Sequence, residues 1–293
     1  MLERPDEAAA LATARLTNKK VHITGMTSET SDFWALPDGR VEAEVHLGPV
    51  RMRDGKTGGW QPVDFSLAPQ ADGSVAAKAH PAGLRLSGAA GAGEHDLVTV
   101  STDGGTISLG WSGRLPAPVV EGTKATYPEV RPGVDLVVES TRTGFEQFLV
   151  VKNRAAAAEV RALSLPLRGK GVTLTDDKRG GFEIRRKDGA VVGVSPQPQM
   201  WDAQSDPQSG ERVRRATVAK KVGAAKAGRL AVTLTPDQRW LNDPKTVFPV
   251  TIDPAVTLKP NYDAFVQTDY SSDQSGATEL KLGTYDGGTT KAR

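Results

Sequence analysis

Four histidines, His22, His46, His80 and His95, are the side chains best suited to move a proton near neutral pH. No two of them sit at a metal-ligand spacing. His46 alternates outward between Glu44 and Gly48 and reads as a solvated surface residue. Carboxylates offer a second chemistry. A glycosidase needs two of them flanking one bond. Asp135 with Glu139, or Glu139 with Glu146 across a hairpin, are the nearest pairs. At alternate positions of a half-exposed hairpin such acids form the wet face, and they are read that way here. Trp34, Trp60, Trp111, Trp201 and Trp240 could stack on sugar rings. Trp111 continues the alternation of Ile107 and Leu109 and belongs to a core. Trp60 and Trp201 stand beside prolines and polar residues and are the candidates for glycan contact. Asp72, Asp103, Asp176, Asp177 and Asp188 fall in turns without the DxDxDG spacing of a calcium loop, so they are expected to bond their own backbone.

The familiar catalytic strings are missing. There is no HExxH, GxSxG, P-loop or GxGxxG. Ser, His and Asp are all present, but nothing brings them together. The chain has no cysteine, which excludes thiolate catalysis, disulfides and Cys-based zinc sites. The residues therefore assign no catalytic group, no metal and no cofactor.

The elements that would position these groups are β-strands. The clearest stretch is Tyr127 to Lys152. Pro132-Gly133 supplies a turn, Val134, Leu136 and Val138 alternate with Asp135, Val137 and Glu139, and Thr141 to Gly144 reverses the chain. Phe145, Leu149 and Val151 then face one side, with Phe148 and Val150 on the other. Asp-Gly recurs at 54–55, 72–73, 103–104, 188–189 and 286–287, between strand-like runs, as hairpin turns do. Alternation continues from Glu159 to Leu167. The basic run 203–229 reads as a long exposed hairpin or a loop with charged strands at a sheet edge; an anionic-polymer site is the lesser reading, because no aromatics are interleaved. Helical signals are confined to the ends of the main region. Residues 5–15 form a loosely docked helix, and a short helix over 235–242 starts with Thr235 as its cap and Pro236 in its first turn. The fold class is mainly β, with antiparallel, sandwich-like sheets.

The expected organisation is a helical segment at 1–17, a β-rich domain at 18–254, a linker at 255–261 and the incomplete start of another β module at 262–293. A division of the β-rich domain near 115–125 or 168–171 is left open. Lys and Arg number 37 and Asp and Glu 35, for a net charge of +2, so no overall basic field points to nucleic acid. No apolar run approaches the roughly 18 residues of a membrane span. The first twenty residues contain no apolar signal-peptide core, so a secreted protein would need a start further upstream.

Several strings occur together and in order: TSETSDFWALPDGRVEAEVHLGPVRMRD, GGWQPVD, LPAPVVEGTKATYPEVRPGVDLVVESTRTGFEQFLVVKNRAAA, PQPQMWD and LTPDQRWLNDPKTVFPVTIDP. Over about 18–254 this set resembles the N-terminal region of large secreted or cell-wall-associated actinobacterial proteins. In those, the region precedes a DNRLRE-type module, a LamG-like jelly roll or RHS repeats. Residues 262–293 resemble the opening of a DNRLRE module, a carbohydrate-binding type of β-sandwich, without its signature. The resemblance implies an extracellular or cell-wall location and no reaction. The leading expectation is a non-catalytic β-rich scaffold presenting carbohydrate-binding or repeat modules, with polysaccharide as partner and no nucleic acid. A carbohydrate-binding module using Trp60 or Trp201, a glycoside hydrolase, and the delivery region of an RHS-type toxin protein are the alternatives. Oligomeric state is open.

Overall fold

The computed structural model describes every residue except 47, 103–104, 179, 225–229, 255, 259–282, 286–289 and 293. The chain divides into two compact units, Met1–Leu258 and Lys259–Arg293. The first begins with a small sheet. β1 (Leu2–Arg4) and β2 (Val21–Ile23) run parallel, joined by α1 (Glu7–Thr17), and β3 (Ser31–Ala35) and β4 (Val41–Val45) extend the sheet antiparallel in the order β1-β2-β3-β4. α1 starts where the Asp6 carboxylate accepts the Ala9 N–H at 2.8 Å, which satisfies a donor that the first helical turn leaves open. It ends at Asn18, whose φ of 52° suits a C-terminal cap. β1 was invisible to pattern reading because three residues carry no period; pairing with β2 defines it. β5 (Arg51–Arg53) and β6 (Trp60–Pro62) form a separate hairpin.

Two large sheets follow. Their strands are, in chain order, β7 (Asp64–Pro69), β8 (Val75–Ala79), β9 (Arg85–Leu86), β10 (Glu94–Thr102), β11 (Gly105–Ser112), β12 (Val119–Glu121), β13 (Lys124–Arg131), β14 (Val134–Thr141), β15 (Gly144–Val151), β16 (Leu163–Lys170), β17 (Val172–Asp176), β18 (Phe182–Arg186), β19 (Val191–Ser195), β20 (Gln199–Trp201), β21 (Arg215–Thr217), β22 (Ala219–Ala224), β23 (Leu230–Thr235), β24 (Val250–Asp253) and β25 (Val256–Leu258), with α2 (Gln238–Asn242) before β24. One sheet runs β22-β23-β16-β11-β10-β9-β8-β7. The other runs β12-β13-β14-β15-β25-β19-β18-β17, and β24, β20 and β21 branch from β15. Strands from either side of residues 115–125 and 168–171 share these sheets, so both positions lie inside one unit.

The architecture is mainly β and sandwich-like, as expected. One core joins the two sheets: Leu97, Leu109 and Trp111 from the first meet Leu136, Phe145, Leu149 and Ile252 from the second. Period-2 patterning explains this. Val134, Leu136 and Val138 on β14, with Phe145, Leu149 and Val151 on β15, are all fully buried. Burying each such side chain stabilises the fold by ~1.5–3 kcal/mol. Gly133 makes the turn before β14 with φ of 69°, and a Cβ there would stand 2.7 Å from that of Ala156.

Three local readings shift. Residues 256–258 of the expected linker at 255–261 are β25, paired antiparallel with β15 and β19. The alternation assigned to Glu159 begins only at Leu163. Arg154–Val160 instead coils into a 3₁₀ helix, capped by the Asn153 side chain accepting the Ala156 N–H at 3.1 Å. α2 is capped by Asp237, not Thr235; its carboxylate accepts the Arg239 and Trp240 N–H groups at 2.8 and 3.3 Å. No described helix is long and apolar enough to cross a membrane. In the second unit, β26 (Gly283–Tyr285) and β27 (Thr290–Ala292) pair antiparallel. The remainder of the module expected at 262–293, and Asp103-Gly104, lie outside the described residues.

Candidate functional site

The polar face of the N-terminal sheet gathers His22, Thr27 and Arg51 within hydrogen-bond reach of Asp32. Register builds this face. Val21 pairs with Ala35 and His22 with Trp34, while Trp34 pairs with Glu42 and Asp32 with Glu44. Side chains alternate across a strand, so Val21, Ile23 and Ala35 meet α1 and His22, Asp32, Trp34, Glu42 and Glu44 share the opposite face. Arg51 reaches this face from β5. Its guanidinium pairs with the Asp32 carboxylate and donates to the Ser28 and Ser31 carbonyls at 2.8 and 3.2 Å. His22 Nε2 lies 2.9 Å from Asp32 Oδ1, and Thr27 Oγ1 donates to the same oxygen at 3.3 Å. The Trp34 ring lies 5.3 Å from the His22 ring, with Lys20 Nζ 4.2 Å above it and 2.5 Å from Glu42.

Burial opposes ionisation of Asp32, but hydrogen bonds from Arg51 and His22 outweigh it and hold the carboxyl below its usual range. An ionised Asp32 requires His22 to present a proton on Nε2. The Thr27 hydroxyl, 3.1 Å from that nitrogen, then cannot hand its own proton to it. A nucleophilic triad needs the hydroxyl and the carboxylate on opposite ring nitrogens, so Thr27–His22–Asp32 is not one. His22 Nδ1 lies 3.8 Å from Glu3 Oε1. Sequence reading missed this group because its members, at 22, 27, 32 and 51, have no contiguous motif. A usable signal was Asp32 as the one acid among the apolar residues of its strand.

The residues singled out from sequence are scattered. Glu139 and Glu146 face each other across β14–β15, and Lys124 stands 3.4 Å from Glu139; Asp135 pairs with Lys152 at 2.8 Å. These acids sit on the wet face of the sheet. Trp60 and Trp201 are half-buried on separate sheets. Arg53 covers the Trp60 ring at 3.7 Å, and Trp201 meets Phe148 edge-on at 6.2 Å. Trp111 is core. Asp72, Asp176, Asp177 and Asp188 accept backbone N–H groups within their own turns. Of the other histidines, His46 lies 3.3 Å from Glu44, His80 is buried, and His95 Nε2 lies 2.8 Å from the Gly91 carbonyl oxygen. Among the described residues no three metal-ligating side chains gather. A cleft of about 720 Å³ opens between β8–β10 and residues 117–120. Its charged groups are tied up in pairs, Asp72 with Arg85 and Asp96 with Arg168.

No family model and no solved structure matches this chain. Curated relatives do. The tRNA(Glu)-specific nuclease WapA of Bacillus subtilis subsp. natto strain BEST195 is 25% identical over 281 residues, covering 90% of this chain. The tRNA nuclease WapA of Bacillus subtilis strain 168 is 24% identical over 288 residues, again 90% of the chain. The tRNA3(Ser)-specific nuclease WapA of Bacillus spizizenii is 25% identical over 296 residues, 95% of the chain. The chain spans 12% of the length of each. These names overturn the expectation of a non-catalytic scaffold presenting carbohydrate-binding modules, together with the expectations of no enzymatic role, a polysaccharide partner and no nucleic acid. The readings drawn from sequence did not name tRNA; the nearest was the lesser one of an anionic-polymer site along 203–229. The physical reason is scale: balanced charge and missing motifs in this chain do not report on relatives of which it spans 12%.

Proposed function

We propose that this chain works as part of a tRNA-acting nuclease. The observation that carries the proposal is similarity to three proteins named as tRNA nucleases, spread over at least 90% of the chain rather than confined to one patch. A net charge of +2 supplies no general attraction for RNA, so contact rests on local cations. Arg212, Arg215 and Lys221 are exposed along the run that carries β21 and β22, the stretch read from sequence as charged edge strands. The resemblance to secreted actinobacterial proteins adds an extracellular or cell-wall location to the proposal, which fractionation of a producing culture tests.

The decisive experiment incubates the complete gene product that contains this chain with end-labelled total tRNA, with and without magnesium. Discrete cleavage products are expected. tRNA that stays intact in both conditions overturns the proposal. The chain alone is run beside it. Cleavage there would locate the chemistry in these residues, and His22→Gln would be the first replacement to make.

A further inference from the structure

β4 differs from the other strands of five or more residues: among the described residues it alone is exposed along its whole length. Three features of its setting explain this and give it a use. The first is incomplete cover. α1 lays Ala10 and Ala14 on Val21, Ile23 and Ala35, and that small core ends at β3. The same face continues onto β4, because Val41 pairs with Ala35, Ala43 with Phe33 and Val45 with Ser31. Val45 is 72% exposed there.

The second feature is an open backbone edge. The His46 N–H donates to the Thr30 carbonyl at 2.8 Å, which fixes the phase of the β3–β4 ladder. In an antiparallel pair the bonded positions alternate, so Glu44 and Glu42 also turn their backbone groups toward β3. Val41, Ala43 and Val45 therefore turn theirs away from it. β4 ends its sheet and pairs with β3 alone among the described strands. The third feature is charge. Glu42 and Glu44 project from the other face, half exposed; Lys20 Nζ lies 2.5 Å from Glu42 and His46 Nε2 3.3 Å from Glu44, so a basic side chain on an added strand would share each carboxylate with that neighbour from the solvent side.

Acids on an edge strand commonly serve to repel other strands, and here they do so selectively. A second copy laid antiparallel on Val41–Val45 would set Glu42 opposite Glu44 of its partner, and like charges directly opposite are unfavourable. A strand with Lys or Arg at those positions reverses the sign. Its intervening aliphatic side chains would cover Val41, Ala43 and Val45. We propose that β4 is the acceptor edge for a partner protein segment that adds as an extended strand and alternates basic with branched aliphatic residues. In strand addition the backbone supplies affinity and alternate side chains supply specificity.

Amide hydrogen exchange on the full chain tests this with three blocked peptides: TKVKVKT, TEVEVET, and TKKKVVT, which has the composition of the first without its alternation. TKVKVKT is expected to slow exchange of the Val41, Ala43 and Val45 amides at least tenfold, and the other two to leave them unchanged. Ala43→Pro removes an outward N–H without touching the ladder to β3, since proline is tolerated on the solvent side of an edge. It is expected to abolish the protection. The double replacement Glu42→Lys with Glu44→Lys keeps the backbone donor and is expected to transfer the preference to TEVEVET, so the idea stays testable if the proline variant misfolds. Equal protection by TKKKVVT would reduce the effect to charge attraction and overturn the proposal. So would slow exchange of these amides in the free protein, or dimerisation through β4.

Discussion

On β14 and β15, six fully buried apolar side chains from Val134 to Val151 share one face and pack into a core that spans two sheets. The N-terminal sheet has nothing comparable. Its covered face buries Val21, Ile23 and Ala35 under two alanines of α1, and its other face closes on Arg51, Asp32 and His22. Apolar area stabilises the first region, at ~25 cal/mol per Å² removed from water. The second has little such area, so directional polar contacts make up a larger share of what holds it. Such contacts place a strand but cover neither face of β4, which is why that strand stays open. The contrast predicts different sensitivities.

The largest effect is expected in the core. Leu136→Ala removes a fully buried side chain midway along β14, where neighbours from both sheets limit collapse of the cavity. Chemical denaturation followed by core tryptophan fluorescence should show a loss of ~2–5 kcal/mol. A loss below that range would mean the sheets can close over the gap and that the core is less tightly shared than its burial indicates.

Asp32→Ala should cost less and act elsewhere. It leaves the Arg51 guanidinium with two carbonyls and strips His22 of its acceptor. Hydrogen bonds to charged groups contribute ~1.5–3 kcal/mol. The site is partly open to water, so the lower end is expected. Amide exchange locates the damage: β2 to β4 should exchange faster while β14 and β15 hold their protection. Equal acceleration in both places would show that the two regions unfold as one and remove the basis of the contrast.

The same division governs what could be read from sequence. Period-2 alternation made β14 and β15 legible to the residue, including which aromatic faced outward, because long strands over a large core must obey the pleat. Helix capping was half legible: Thr235 and Asp237 are both good caps, and the choice between them depended on which oxygen reaches two successive N–H groups. β1 and the Arg154–Val160 coil were not legible. Three residues hold no period, and alanine-rich runs accept several conformations. The His22 group was hidden for a different reason. Its partners converge only after β2, β3 and β5 have been placed, and no spacing rule encodes that convergence. Function was least legible of all: the relatives that match 90% of the chain are named as tRNA nucleases, and no residue pattern announces that name.

The smallest expected effect uses pH to separate the regions without altering either core. His80 is buried; its Nδ1 accepts the Ala82 N–H at 3.0 Å, so its Nε2–H serves the Thr141 and Gly144 carbonyls at 2.9 and 3.3 Å. The neutral ring satisfies every bond, whereas a second proton would point at an N–H. Burial accordingly pushes its pKa below the ordinary 6.5. The unfolded chain therefore binds the proton first as pH falls. His80 contributes stability above about pH 6.5 that declines below it and is gone once pH passes the folded value. Asp32 is also depressed, but from the ordinary 3.8, so its contribution survives to a much lower pH. Lowering pH from 7.5 to 5.5 should thus loosen the turn between β14 and β15 through His80, while the Asp32 carboxylate of the N-terminal sheet stays ionised. Urea midpoints at the two values should differ for the native chain and differ less for His80→Gln, which keeps a donor for the two carbonyls but cannot take up a proton. An equal shift in both would assign the pH response to other groups, and the turn held by His80 would lose its claim to be acid-sensitive.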